Sequence, residues 1–155
     1  MTVGRSLLLI WLCLVSFSGC GSNQPKAETL VPASGTVKVN GRPAEGVRIT
    51  FHPTDDTKAQ GGCWAMTDAE GKFTVTHLSN KPGIPAGNYF VTFSQFVKPD
   101  GKPLAANESP TMTPSTQVIA ARWSDVGKAG MHNKTTIPDK GTTSLDFIIS
   151  TSVKK

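Results

Sequence analysis

Gly35-Thr36-Val37-Lys38-Val39-Asn40-Gly41-Arg42-Pro43-Ala44-Glu45-Gly46-Val47-Arg48-Ile49-Thr50-Phe51 is the stretch that decides the fold. Apolar and polar residues alternate on both sides of Asn40-Gly41. A period of two puts Val37 and Val39, then Val47, Ile49 and Phe51, on one face of an extended strand each. Asn-Gly accepts the positive φ of a tight hairpin turn, Pro43 limits the exit conformation, and Gly46 lets the chain turn into the next strand. The alternation returns in Phe73 and Val75, in Tyr89, Val91 and Phe93, and in Leu145, Phe147 and Ile149. Turn signals separate these sets: Asp68-Ala69-Glu70-Gly71, Pro82-Gly83 with Pro85 and Gly87, Pro99-Asp100-Gly101, and Lys140-Gly141. With 15 Gly and 11 Pro along the chain, helical patterns are nearly absent and an all-β architecture is expected. Half-apolar strands joined by turns predict a small antiparallel sandwich, two sheets burying their inner faces on each other.

At 155 residues the chain suits one domain with a modest core. The net charge of +5 comes from Lys and Arg scattered among acids, so a solvated surface is expected and nucleic-acid binding is not.

The residues Gly35 to Val47 quoted above, Thr67-Asp68-Ala69-Glu70-Gly71-Lys72-Phe73, and Ile84-Pro85-Ala86-Gly87-Asn88-Tyr89 resemble the carboxypeptidase regulatory-like, or transthyretin-like, domain. The chain is especially similar to small bacterial lipoproteins built from that domain alone. The resemblance spans residues 34–150 and implies a seven-stranded antiparallel Greek-key sandwich of prealbumin type. It implies little about activity, because one fold hosts many functions.

The first residues read as an export signal: Arg5, an apolar run over residues 7–15, then Phe17-Ser18-Gly19-Cys20. The run is far short of the ~20 residues a membrane-spanning helix needs. Ser18-Gly19-Cys20 resembles the lipobox of bacterial lipoproteins, although Phe17 stands where Leu, Val or Ile is usual. Residues 1–19 are therefore expected to be a signal peptide and Cys20 a lipidated first residue. Two or more acyl chains on Cys20 anchor a protein stably at about 0.8 kcal/mol per buried CH₂. Residues 20–33 read as a flexible tether, 34–150 as the domain and 151–155 as a tail. Gly21 after Cys20 favours the outer membrane over inner-membrane retention, with the domain facing the periplasm or the outside.

Cys13 leaves with the signal and Cys20 carries lipid, so Cys63 has no partner in the mature chain and burial is expected for it. His52, His77 and His132 are too widely spaced for a metal pattern. His77 continues the face of Phe73 and Val75. A set of Cys63, Met131 and His132 would suit copper, but no metal or cofactor is expected. Asp68-Ala69-Glu70-Gly71 superficially resembles a calcium loop, yet Ser79 stands where a further acid is needed. Enzymes with related sandwiches also fit poorly. The transthyretin-like purine-pathway hydrolases end in Tyr-Arg-Gly-Ser, whereas this chain ends in Lys154-Lys155, and Tyr89 is its only tyrosine where intradiol dioxygenases use two.

The segment 98–133 exceeds the usual connection length, and loops beyond about 12–15 residues tend to be functional or disordered. It holds Arg122-Trp123-Ser124-Asp125. Trp123 either forms a sugar-stacking platform with Arg122 and Asp125 beside it or plugs an open end of the sandwich. The expected function is that of a non-catalytic, membrane-anchored envelope module binding an envelope protein or a surface polymer. The alternative is a carbohydrate-binding module using Trp64, Trp123 or Phe96, and less favoured is an enzyme whose site assembles only in space.

Overall fold

The computed structural model of the chain describes residues 28–57, 59, 61–129 and 133–151. The expected signal, Cys20 and the first part of the tether lie outside the described residues. The strands are β1 (Leu30–Val31), β2 (Ala33–Val39), β3 (Arg42–Pro43), β4 (Arg48–Pro53), β5 (Cys63–Met66), β6 (Lys72–Thr74) and β7 (Thr76–His77). They continue with β8 (Ile84–Pro85), β9 (Gly87–Ser94), β10 (Phe96–Val97), β11 (Thr116–Gln117), β12 (Lys134–Ile137) and β13 (Thr142–Ile149). Two single-turn helices, α1 (Ala121–Ser124) and α2 (Val126–Ala129), lie between β11 and β12. Among the described residues no helix is long and apolar enough to cross a membrane.

The protein is all-β. One sheet has the order β12-β9-β4-β5-β7; the other runs β13-β2-β3, with β6 also paired to β2. The period-two residues supply the buried core: Val37, Val47, Ile49, Phe51, Tyr89, Val91 and Phe93 are almost completely withdrawn from solvent. Full burial of such side chains stabilises the fold by about 1.5–3 kcal/mol each. Phe93 bridges the layers, its ring centroid 5.0 Å from that of Phe147 in the opposite sheet.

The turn chemistry forms as the residues dictate. Asn40 and Gly41 take φ of 52° and 81°, closing the β2–β3 hairpin. Asp68 Oδ1 accepts the backbone N–H groups of Glu70 at 3.0 Å and Lys72 at 2.8 Å, closing the loop before β6.

Four features depart from the expectation. The strands begin at Leu30 rather than near Ser34, because Val31 and Ala33 are buried and β1 pairs with β8. One strand pair is parallel: β13 lies alongside β2 with Phe147 opposite Val37. Parallel neighbours need a crossover instead of a hairpin, and the long path between β2 and β13 provides it. β5 and β12 are additional strands, each held by a neighbour of stronger pattern, β4 and β9 respectively. The segment 98–133 is also not structureless, since it carries β11, paired with β10, and both helices.

Candidate functional site

Arg122, Trp123 and Asp125 sit together on the helical segment but do not converge on one point. Trp123 is half-buried and packs on the core, edge-on to Phe93 with ring centroids 6.4 Å apart. Its Nε1 donates to Ser150 Oγ at 3.3 Å. Arg122 lies over the indole with Cζ 5.5 Å from the ring centroid and also donates to Ser150 Oγ. Asp125 is exposed, and its Oδ1 accepts the backbone N–H of Lys128 at 3.2 Å, tying α1 to α2. One edge and one face of Trp123 are therefore engaged by protein groups.

Trp123 nonetheless borders an opening. A cleft of about 380 Å³ runs between the two sheets, lined by Phe93, Trp123, Asn133, Lys134, Leu145 and Phe147 among others. Its rims are β12 and β13, each the outermost strand of its sheet. β13 is eight residues long and carries Ile148 outward at 71 % exposure. Within the cleft, Asn133 Nδ2 is buried and has no hydrogen-bond partner among the described residues. An outermost strand presents unpaired backbone donors and acceptors, which is the geometry that accepts another strand.

The other sequence candidates serve the fold. Cys63 is buried and unpaired, and burial pushes its thiol up to about 12, which leaves it protonated and unreactive at neutral pH. Its cross-strand partner His77 has Nε2 3.0 Å from the Glu28 carboxylate, both side chains only 14 % exposed. This pair pins the chain just ahead of β1. Among the described residues no three His, Cys, Asp or Glu side chains gather as a metal site. Met131 and His132 lie outside those residues.

The outer face of the five-stranded sheet was not marked by sequence reasoning as a unit. Arg48 sits over the Trp64 ring with Cζ 5.2 Å from its centroid. His52 and Phe90, cross-strand partners, stack at 4.8 Å with their planes 10° apart. His52 Nε2 lies 3.0 Å from Thr92 Oγ1, and burial lowers the His52 pKa below its ordinary value. Burial thus disfavours the charged imidazole, and the contact with Thr92 fixes its orientation. Phe96 is half-buried in the β10–β11 ribbon. Comparison with protein families, with curated proteins and with solved structures yields no match to this chain.

Proposed function

We propose that the protein is a non-catalytic, lipid-anchored recognition module of the bacterial envelope, carried on a carboxypeptidase regulatory-like sandwich of prealbumin, Greek-key type. In this reading Cys20 holds the chain at a membrane, the outer membrane being favoured, and β13 receives an extended segment of an envelope protein. The two-layer all-β body and the motifs around Asn40-Gly41 and Asp68–Gly71 support the family assignment.

A single observation carries the binding role: the open cleft between the two unpaired edges, floored by Phe93 and Phe147 and rimmed by the polar edge residues Lys134 and Ser144. A partner strand at β13 gains main-chain hydrogen bonds from the edge and side-chain pockets from the cleft.

A photo-cross-linking residue at Ser144, compared with one at Lys72 on β6, tests this in native membranes. A discrete protein adduct at Ser144 and none at Lys72 is expected; no adduct at Ser144 rules out the edge as the docking site. Labelling with a palmitate analogue tests the anchor separately, and incorporation that is equal in Cys20→Ser refutes it.

A further inference from the structure

A second concavity, of about 340 Å³, opens at the end of the five-stranded sheet and is lined by Thr54, Asp56, Asn88, Lys134, Thr135 and Thr136 together with Tyr89. It shares Lys134 and Thr135 with the edge cleft and adds Thr54, Asp56, Asn88 and Thr136, which are held in a different way. The loop after β4 is fastened to the start of β9 by several bonds: Thr57 Oγ1 donates to Asn88 O at 2.6 Å, Asn88 N donates to Thr57 Oγ1 at 2.8 Å, and Thr54 N donates to Asn88 O at 3.0 Å. Gly87, at φ 148°, makes this possible, because a Cβ there would lie 2.5 Å from Thr57 Cγ2. On that base Asn88 Nδ2 donates to Asp56 Oδ2 at 2.8 Å and Thr136 Oγ1 donates to Asn88 Oδ1 at 2.7 Å. Thr54 Oγ1 donates to Asp56 Oδ1.

These bonds orient the groups without exhausting them. A carboxylate offers about four acceptor sites, and those on Asp56 are partly used, by Thr54 Oγ1, Asn88 Nδ2 and its own backbone N–H. A side-chain amide has two N–H donors and two acceptor lone pairs, and Asn88 spends one of each. Lys134 adds an ammonium group to the lining, close enough to the Asp56 carboxylate to help hold its pKa below the ordinary value. Phe90 is not part of the concavity's lining but lies next to it on the same face, directly across from Lys134 and backed by the parallel ring of His52. Residues two apart on a strand are about 7 Å apart, so Asn88 and Phe90 are spaced to meet one small ring.

The geometry points to a binding site for a saccharide unit of a surface polysaccharide, hydrogen-bonded by Asp56, Asn88 and Lys134 and stacked on Phe90. The mixture of groups selects this class. A small anion would face the Asp56 carboxylate, and a metal ion would face the Lys134 ammonium. A neutral ring with neighbouring hydroxyls donates to the first and accepts from the second, while its C–H face covers an aromatic side chain. No residue of β13 lines this site, so Asp56→Asn reports on it separately from the cross-linking at Ser144, although Lys134 borders both openings.

The test uses the full chain in detergent, with retention measured on immobilised dextran, mannan, galactan and polygalacturonate. Retention on at least one neutral polymer is expected. It should weaken about 10- to 100-fold in Asp56→Asn, the loss that follows from removing charge-assisted hydrogen bonds. Phe90→Ala should weaken it comparably, whereas Lys72→Ala on the other sheet leaves it unchanged. Asp56→Asn keeps the side-chain shape, and an unchanged thermal midpoint shows that the fold is intact. The proposal is overturned if no polymer is retained, if Asp56→Asn binds as the wild type does, or if retention is confined to polygalacturonate and vanishes with salt.

Discussion

Replacing Thr67 by Val keeps the size and branching of the side chain and removes one hydroxyl. That hydroxyl is buried, with Thr67 only 4 % exposed, and it works twice. It donates to Ala44 O at 2.6 Å and accepts from Val47 N at 2.9 Å, while the Thr67 backbone bonds Gly46 N at 3.0 Å and Val47 O at 3.1 Å. Thr67 is thereby the clamp that folds the turn between β3 and β4 onto the strand end of β5. In the Val variant, Val47 N–H and Ala44 C=O stay buried without their partner, since Val47 is 0 % and Ala44 9 % exposed. At about 1–3 kcal/mol for each of the two stranded groups, the loss is about 2–6 kcal/mol. For a domain of this size that lowers the thermal midpoint by roughly 8–24 °C. Thr67→Ser is the control: it retains both bonds and gives up one buried methyl, about 1 kcal/mol. Urea unfolding followed by circular dichroism measures both variants. If Thr67→Val is as stable as Thr67→Ser, the hydroxyl is not the clamp and the reasoning fails.

A Cβ on Gly35 would lie 2.0 Å from Leu145 O, so Gly35→Ala should push β13 off β2 and cost about 3 kcal/mol or more; an unchanged urea midpoint would refute the close approach. Cys63 should resist iodoacetamide in the folded protein at about pH 8.5, where an ordinary thiol is half ionised, and react fully in urea; fast native labelling would contradict its burial. His52 has its folded pKa lowered from 6.5 by burial, so the unfolded chain binds its proton first and stability falls as pH drops through that value. His52→Gln should therefore flatten the decline in urea midpoint between about pH 7 and 5, and an unaltered slope would exclude His52 as its source.

The residues of β2, β4, β9 and β13 could be read from sequence because their inward positions hold large apolar side chains at a strict spacing of two. Asn40-Gly41 and Asp68–Gly71 were legible for a different reason: their turns depend on local backbone freedom and one side-chain acceptor, both encoded in a few residues. β5 was not, since its inward residues, Cys63 and Ala65, are small and follow Gly61-Gly62. β12 has only Ile137 buried and exists because β9 offers it an edge. The start at Leu30 depended on a distant partner, with Leu30 opposite Pro85 and Val31 opposite Ile84. Among site residues, Arg122, Trp123 and Asp125 are neighbours in sequence yet point to separate tasks. Asp56, Asn88 and Lys134 are far apart in sequence and are joined only by the β9–β12 register and the loop that folds onto β9.

That contrast follows from how β9 divides its residues. Tyr89, Val91 and Phe93 face the core, and their apolarity announces the strand. Asn88, Phe90 and Thr92 face outward, where alternation predicts only some tolerable side chain, so a binding group there looks like any solvated one. The arrangement gives the outward groups the rigidity of a central strand without asking the core to accept a polar atom. It also sorts the consequences of mutation. Asn88 is both a partner of the saccharide and the hub that fixes Thr54, Asp56 and Thr57, so Asn88→Ala should lose binding and loosen the loop together. Asp56 is exposed and held by Thr54 and Asn88 without itself holding the strand, so Asp56→Asn should lose binding alone. If hydrogen exchange in the loop after β4 were accelerated equally by both substitutions, Asp56 would be part of the scaffold, and the separation of recognition from stability on this face would not hold.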